Sequence, residues 1–379
     1  MKHLIILLIV TSLLVITGCV VSKESSDVSR LIVQSSKIQK ELVDTTVFKK
    51  CSIIFLETND NSLLRRINRI CYADEKLFIL DRSLNKILIF NMEGKYISEI
   101  HQVGQGPGEY LSIMDFCVDI VKKQILVLCD RPYKIIAFDF DKKVMFDKKL
   151  DGLYFNITAD SGYAFCNKLE ISNEKGQKYE LYRISIESDD VFHYLPIRTN
   201  IGSNRVYKGN QITSTQNTYY TRRFDYGIYH LDGNDVYRKY TFDFLDNSIG
   251  EFSKDIEITD EQIERAIGKD MVCSISDVVE NEKYMFFLTN IGFYVYDKDS
   301  GFLNGYRSLL NSTFGIGFNS YFSVENTGKF IAIELKPWLV NLVKEKRMSV
   351  QNGGYDDFMR LANQIDSDDN PIILLYEFK

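Results

Sequence analysis

The sequence predicts an all-β protein, a six-bladed β-propeller with a short helical insertion in its last blade. Three observations predict it. Short apolar runs recur from residue 50 to the C-terminus, two pairs of segments repeat at fixed spacing, and long helix-forming stretches are absent from most of the chain. The composition is that of a globular chain, with 379 residues, 45% of them hydrophobic and 26% charged, enough for one large domain. A net charge of −6 without a long basic run argues against a nucleic-acid partner, which calls for a basic surplus.

In chain order, the first element stands outside the fold. "MKHLIILLIVTSLLVITGC" places Lys2 before an apolar core from Leu4 to Ile16. That core is too short to cross a bilayer, which takes about 20 residues in a helix, so residues 1–18 read as a signal peptide. Ile16-Thr17-Gly18-Cys19 resembles the bacterial lipobox. Cys19 is then the expected lipidated N-terminus, and its acyl chains make the membrane an expected partner. Residues 20–45 are rich in Ser and charge with no sustained period. Residues 19–49 therefore read as lipidated terminus and tether, and the propeller is assigned residues 50–379.

From residue 50 the pattern is strand. "KLFILDRSLNKILIFNMEGKYISEI" (Lys76–Ile100) holds three apolar runs separated by turns. In the first two, successive residues are apolar, and because side chains alternate along a strand both faces must be buried. The design returns 48 residues later, without a gap, in "QILVLCDRPYKIIAFDFDKKVMFDKKL" (Gln124–Leu150). "FDYGIYHLD" (Phe224–Asp232) matches "TNIGFYVYD" (Thr289–Asp297) at a spacing of 65. Segments within 162–188 and 329–378 complete six units of about 55 residues, near the length of propeller repeats. Sheets packed face to face around an axis bury both faces of their middle strands. "CSIIFLET" (Cys51–Thr58) has no unit of its own and is expected to pair with the C-terminal blade.

Two segments break the pattern. "TDEQIERAIGKDM" carries a capping-box signature, Thr259 with Gln262, ahead of a short helix. Residues 337–366 read as one or two helices broken at Gly353-Gly354, an insertion on one rim of the last blade, where function tends to reside.

"HQVGQGPGEY" (His101–Tyr110) suggests a phosphate loop at first sight. A dinucleotide fingerprint needs G-x-G-x-x-G between strand and helix, and a P-loop needs G-K-[ST]; neither is present. Pro107-Gly108 instead fits the centre of a type II turn. Gly104 and Gly106 permit close approach, and Glu109 is placed to accept turn amides.

The lipobox, the repeated strands and Gly104-Gln105-Gly106-Pro107-Gly108-Glu109-Tyr110 together resemble the six-bladed, NHL-like β-propeller lipoproteins of Gram-negative gut anaerobes. The segments Leu56–Asp81 and Asp368–Lys379 resemble that family's two ends. The resemblance implies the propeller fold and an outer-membrane lipoprotein of the cell envelope. It implies no activity, since propellers host binding scaffolds and several enzyme classes.

Chemistry has little foothold. His101, His193 and His230 stand in no metal-ligand spacing, and no G-x-S-x-G elbow occurs. Asp81, Asp130, Asp139, Asp232 and Asp297 read as turn residues that bond their own backbone. Cys51, Cys71, Cys117, Cys129, Cys166 and Cys273 include no C-x-x-C pair and read as free thiols, mostly buried. No catalytic residue, metal or cofactor is therefore assigned. Tyr219, Tyr220, Arg222 and Arg223, with Trp338 in the insertion, are the candidate ligand rim, since aromatics beside arginines suit sugar rings, peptides or acidic groups. The expected function is a non-catalytic, lipid-anchored propeller that binds a protein, glycan or peptide. The alternative is a carbohydrate-active hydrolase or lyase.

Overall fold

In the computed structural model, the described residues are 29–31, 38–168, 179–197, 209–248, 260–351 and 353–379. Three strands come first: β1 (Ser29–Leu31), β2 (Gln39–Val43) and β3 (Phe48–Phe55). The repeated units follow. The first comprises β4 (Arg69–Ala73), β5 (Lys76–Asp81), β6 (Lys86–Asn91) and β7 (Tyr96–Ile100). The second has β8 (Ser112–Asp119), β9 (Gln124–Arg131), β10 (Tyr133–Asp139) and β11 (Val144–Lys149). The third has β12 (Asn156–Asp160), β13 (Tyr163–Asn167), β14 (Tyr179–Ser185) and β15 (Val191–Pro196). The fourth has β16 (Ile212–Ser214), β17 (Thr218–Thr221), β18 (Gly227–Asp232) and β19 (Asp235–Phe242). Helix α1 (Asp260–Gly268) leads to the fifth, with β20 (Ile275–Glu280), β21 (Tyr284–Thr289), β22 (Gly292–Asp297), β23 (Phe302–Asn311) and a short added β24 (Ile316–Phe318). The last has β25 (Phe322–Glu325) and β26 (Phe330–Leu335), then helices α2 (Pro337–Lys344) and α3 (Tyr355–Ala362), then β27 (Ile372–Phe378).

Each unit is an antiparallel sheet, and the first strand of each lies innermost. In the last unit β3 supplies the fourth strand, antiparallel to β27 from Ile372↔Phe55 to Phe378↔Phe48. β3 thus closes the last blade, as its unpartnered sequence suggests. The innermost strands touch their neighbours in the order β4, β8, β12, β16, β20, β25 and back to β4. Hydrophobic cores lie between successive units all the way round. That arrangement is a β-propeller, and it explains the doubly apolar runs: five of six residues in both β5 and β6 are buried. The repeats superpose as elements too, because Lys76 and Gln124 open second strands while Gly227 and Gly292 open third strands.

The tether expectation needs correction. Among the described residues before residue 50, the strands are built into the sheets. β1 lies parallel to β19 as a fifth strand of the fourth unit, and β2 lies parallel to β23 as a fifth strand of the fifth. Unpaired edge strands offer open backbone groups, and a polar segment satisfies them without an apolar pattern of its own. The signal peptide, Cys19 and Thr259 of the capping box lie outside the described residues; α1 forms where a helix is expected. The insertion also forms as expected, as two helices separated by a turn in which Gly353 has φ +71°.

Candidate ligand-binding groove

The Gly104–Tyr110 turn joins β7 to β8. The Glu109 amide donates to the Gly106 carbonyl at 3.1 Å across Pro107 and Gly108, and Gly108 has φ +75°, as a type II turn requires. The Glu109 carboxylate accepts the Gly106 amide at 2.8 Å, and Asp147 of β11 accepts the Gly108 amide at 3.0 Å. A Cβ on Gly104 would stand 2.0 Å from a Glu109 carboxylate oxygen. The glycine therefore leaves room for that carboxylate to fold over the loop. Amides that would meet a phosphate are taken by the chain's own acids.

The candidate rim does not form. Tyr219, Tyr220, Arg222 and Arg223 are all buried, and only Trp338 is exposed, at 59%. The four lie on or just after β17, the second strand of a unit flanked by two others. The polar ends of Tyr219, Tyr220 and Arg222 are occupied between blades. Tyr220 Oη and Arg222 Nε donate to Glu180 at 3.0 and 2.9 Å, and Arg222 also reaches the Pro196 carbonyl at 2.8 Å. Tyr219 Oη bonds Glu280, which Tyr240 and Lys298 also hold at 2.6 and 2.7 Å. Burial alone would raise the Glu280 carboxyl, but Lys298, Tyr219, Tyr240 and Lys239 hold it down at about 2. The sequence shows the tyrosines and arginines; it does not show that Glu180 and Glu280 face them across a blade interface.

Sequence reasoning also missed the polar cluster on the axis. Arg69, from β4, is 1% exposed and reaches other innermost strands. It bonds Asp115 of β8, donates to the carbonyls of Ile157 at 3.2 Å and Ile212 at 3.1 Å, and lies 3.4 Å from Glu325 of β25. Asp115 also accepts the Ile157 amide at 3.0 Å and the Asn156 side chain at 3.2 Å. The Ser323 hydroxyl lies 2.9 Å from Glu325 and 3.3 Å from Asp277 of β20. Asp277 accepts the Asn210 amide at 3.0 Å. Burial pushes both the Asp277 and Glu325 carboxyls up to about 6, with hydrogen bonds and Arg69 opposing it. These acids are enclosed and engaged with neighbours, which suits a structural hub on the ring's axis.

A cavity of about 300 Å³ lies at the outside of the disc, where β3, the turn after β23 and helix α3 meet. One wall is a single face of β3, with Cys51, Ile53 and Phe55 at alternate positions. Ile53 and Phe55 are 40% and 37% exposed. The facing wall is Asp357, Arg360 and Leu361, which share one side of α3, with Gln364 in the turn that follows. Asn311, Thr313 and Phe314 complete the lining. Asn311 is held by the Tyr376 hydroxyl at 2.7 Å and by the Phe314 amide at 2.7 Å, and Arg360 pairs with Asp357 at 2.7 Å. Gly315 contributes by close approach: a Cβ there would stand 1.9 Å from the Gln351 carbonyl, so the glycine lets the insertion dock on the turn. Burial raises the Cys51 thiol to about 12, which leaves it neutral at physiological pH. The groove thus pairs an apolar wall with a few fixed polar groups, the make-up of a binding site. Among the described residues no group of acids, histidines and cysteines is placed to hold a metal ion, and the six described cysteines are free thiols.

Fold and groove together define an all-β propeller closed by β3 and carrying a helical insertion. The chain belongs to the family described as a domain of unknown function, DUF4934, matched over residues 30–377. Nothing matches among proteins with curated descriptions. Among solved structures it is similar to a protein described as exported, from Bacteroides fragilis NCTC 9343, at 18% identity and a TM-score of 0.71. That alignment covers 93% of this chain and all of the other. A DUF4221 family member from Bacteroides vulgatus aligns at 10% identity and a TM-score of 0.47, over 88% of this chain and 98% of its own. Virginiamycin B lyase from Staphylococcus aureus aligns at 14% identity and 0.39, over 67% and 73%. The first likeness is one of fold, and the other two carry no functional weight.

Proposed function

We propose that this protein is an outer-membrane lipoprotein, anchored through Cys19, whose six-bladed NHL-like propeller binds a protein, peptide or glycan partner without chemistry. The observation that supports it is the contrast between axis and groove. Catalytic use of carboxylates needs a pair facing substrate, and the axial acids are instead buried against Arg69, Asn210 and Ser323. The groove beside α3 is open, and its lining offers Ile53, Phe55 and Leu361 beside Thr313, Gln364 and Arg360. An extended ligand with one apolar face and one hydrogen-bonding edge suits it.

The test is photo-crosslinking in intact cells from residue 364, with Ile53→Arg as the control. A discrete adduct that disappears in a folded Ile53→Arg variant is expected. Turnover of envelope or dietary glycans by the purified domain would overturn the binding reading. Deleting 337–366 is a poor control, because Val340, Val343, Phe358 and Leu361 belong to the core. Labelling with radioactive palmitate, lost on Cys19→Ala, tests the anchor.

A further inference from the structure

The N-terminal strands decide how far the disc can stand from the membrane, a consequence that rests on the proposed anchor at Cys19. Had the chain been free up to β3, the 29 residue steps from Cys19 to Phe48 would span about 100 Å when extended. Such a leash exceeds the roughly 50 Å diameter expected for a domain of this size and would leave orientation open. β1 changes this. It is paired with β19 through Ser29↔Tyr240, Arg30↔Thr241 and Leu31↔Phe242, so the leash ends at Ser29. Ten residue steps from Cys19 reach no further than about 35 Å, less than the diameter of the disc.

We infer that the outer edge of the fourth blade is the membrane-facing edge of the propeller, and that its partner there is the bilayer surface. The first blade lies across the ring from the fourth in the order of the innermost strands, so its outer strand β7 faces away from the lipid. β2 then continues along the fifth blade, and Glu41 of β2 accepts from Gln351 in the insertion at 3.1 Å. β1, β2 and β3 thus lie in turn on the outer edges of the fourth, fifth and last units, and β3 is the apolar wall of the groove. The groove, between the fifth and last units, sits about a quarter turn from the anchored edge. A ligand reaches it from the side, along the membrane plane, without passing beneath the disc.

The experiment uses the full lipidated protein on vesicles that contain a headgroup-labelled acceptor lipid. A donor fluorophore is attached through Asp235→Cys on β19 or Ile97→Cys on β7, both exposed positions, in a Cys51→Ser background. Energy transfer from position 235 is expected to exceed that from position 97 by about threefold, given a leash shorter than the disc. Inserting twelve Gly/Ser residues after Lys23 leaves every strand intact, lengthens the leash, and is expected to bring the two signals together. Arg30→Pro, which removes a backbone donor from β1, is expected to do the same. Equal transfer from both positions in the membrane-bound parent overturns the orientation. Failure of the parent to float with vesicles overturns the anchor, and with it this inference; the two results are read in separate assays.

Discussion

Glu325 and Asp115 flank the Arg69 guanidinium on the propeller axis, and Asp277 joins them through the Ser323 hydroxyl. Burial raises the Asp277 and Glu325 carboxyls to about 6, whereas the unfolded chain titrates them near 4. Between those values the folded protein keeps protons that the unfolded chain releases. Their contribution to stability is therefore complete below about pH 4 and is lost as the pH rises through 6. Glu280 has the opposite sign. Its carboxyl is held at about 2, so its contribution is present above the usual glutamate range and is lost as the pH falls through 2. Asp277→Asn is expected to flatten the pH dependence of the urea midpoint between pH 4 and 6.5, whatever it does to the absolute value. A slope identical to the parent's would show that Asp277 stays ionised throughout. A second prediction concerns backbone. Gly108 combines φ +75° with a Cβ position 2.5 Å from a Val144 methyl, whereas Gly233 at φ +56° has nothing within 4 Å. Gly108→Ala is expected to cost about 1–3 kcal/mol and Gly233→Ala about 1 or less, both read from urea unfolding.

At the scale of elements, α3 joins fold and groove. Its Phe358, Leu361 and Ala362 are buried, and Phe358 meets Phe314 edge-on at 6.1 Å. Phe358→Ala is expected to cost about 3–5 kcal/mol, while Trp338→Ala, on the exposed start of α2, is expected to change stability by about 0.5 or less. Both are checked by thermal melts. These elements also show what was legible in the sequence. β5, β6, β9 and β10 were, because a strand buried on both faces must be apolar at every position. The Pro107–Gly108 turn was, because only certain residues take its backbone angles. β1 and β2 were not: they add by main-chain bonds to edges that other residues create, and such pairing leaves no side-chain period. The candidate rim failed for a related reason. "TYYTRR" has the composition of a surface, and only the approach of Glu180 and Glu280 from elsewhere shows that it is an interior. The groove was half legible. Cys51, Ile53 and Phe55 could be seen to alternate, but their facing wall comes from residues 357–364, some three hundred positions along the chain.

For the molecule as a whole, the question is what keeps the ring shut. The first and last units meet through the parallel pairs Val324↔Ile70 and Glu325↔Cys71, a contact of only two positions. They also share a core that includes Ile54, Ile79 and Ile373. The stronger constraint is covalent. The chain passes through the last unit as β3 and enters the first as β4, so opening the ring requires peeling β3 away from β27. Peeling exposes Phe48 and Ile54 together with the partners they cover on β27, at roughly 25 cal/mol for each Å² of apolar surface. Two truncations separate this constraint from the contribution of the added strand β1. A chain starting at residue 39 loses β1 but keeps β2 and β3, and its melting temperature is expected to fall by about 5 °C or less. A chain starting at residue 57 loses the fourth strand of the last blade and the covalent closure together. It is expected to lose its cooperative thermal transition and to bind a dye for exposed apolar surface. A synthetic peptide spanning residues 47–57, added in trans, is expected to restore part of the transition by filling the vacant edge. Cooperative melting of the 57–379 chain within about 5 °C of the parent would instead show that the innermost strands, joined through Arg69, hold the ring closed by themselves.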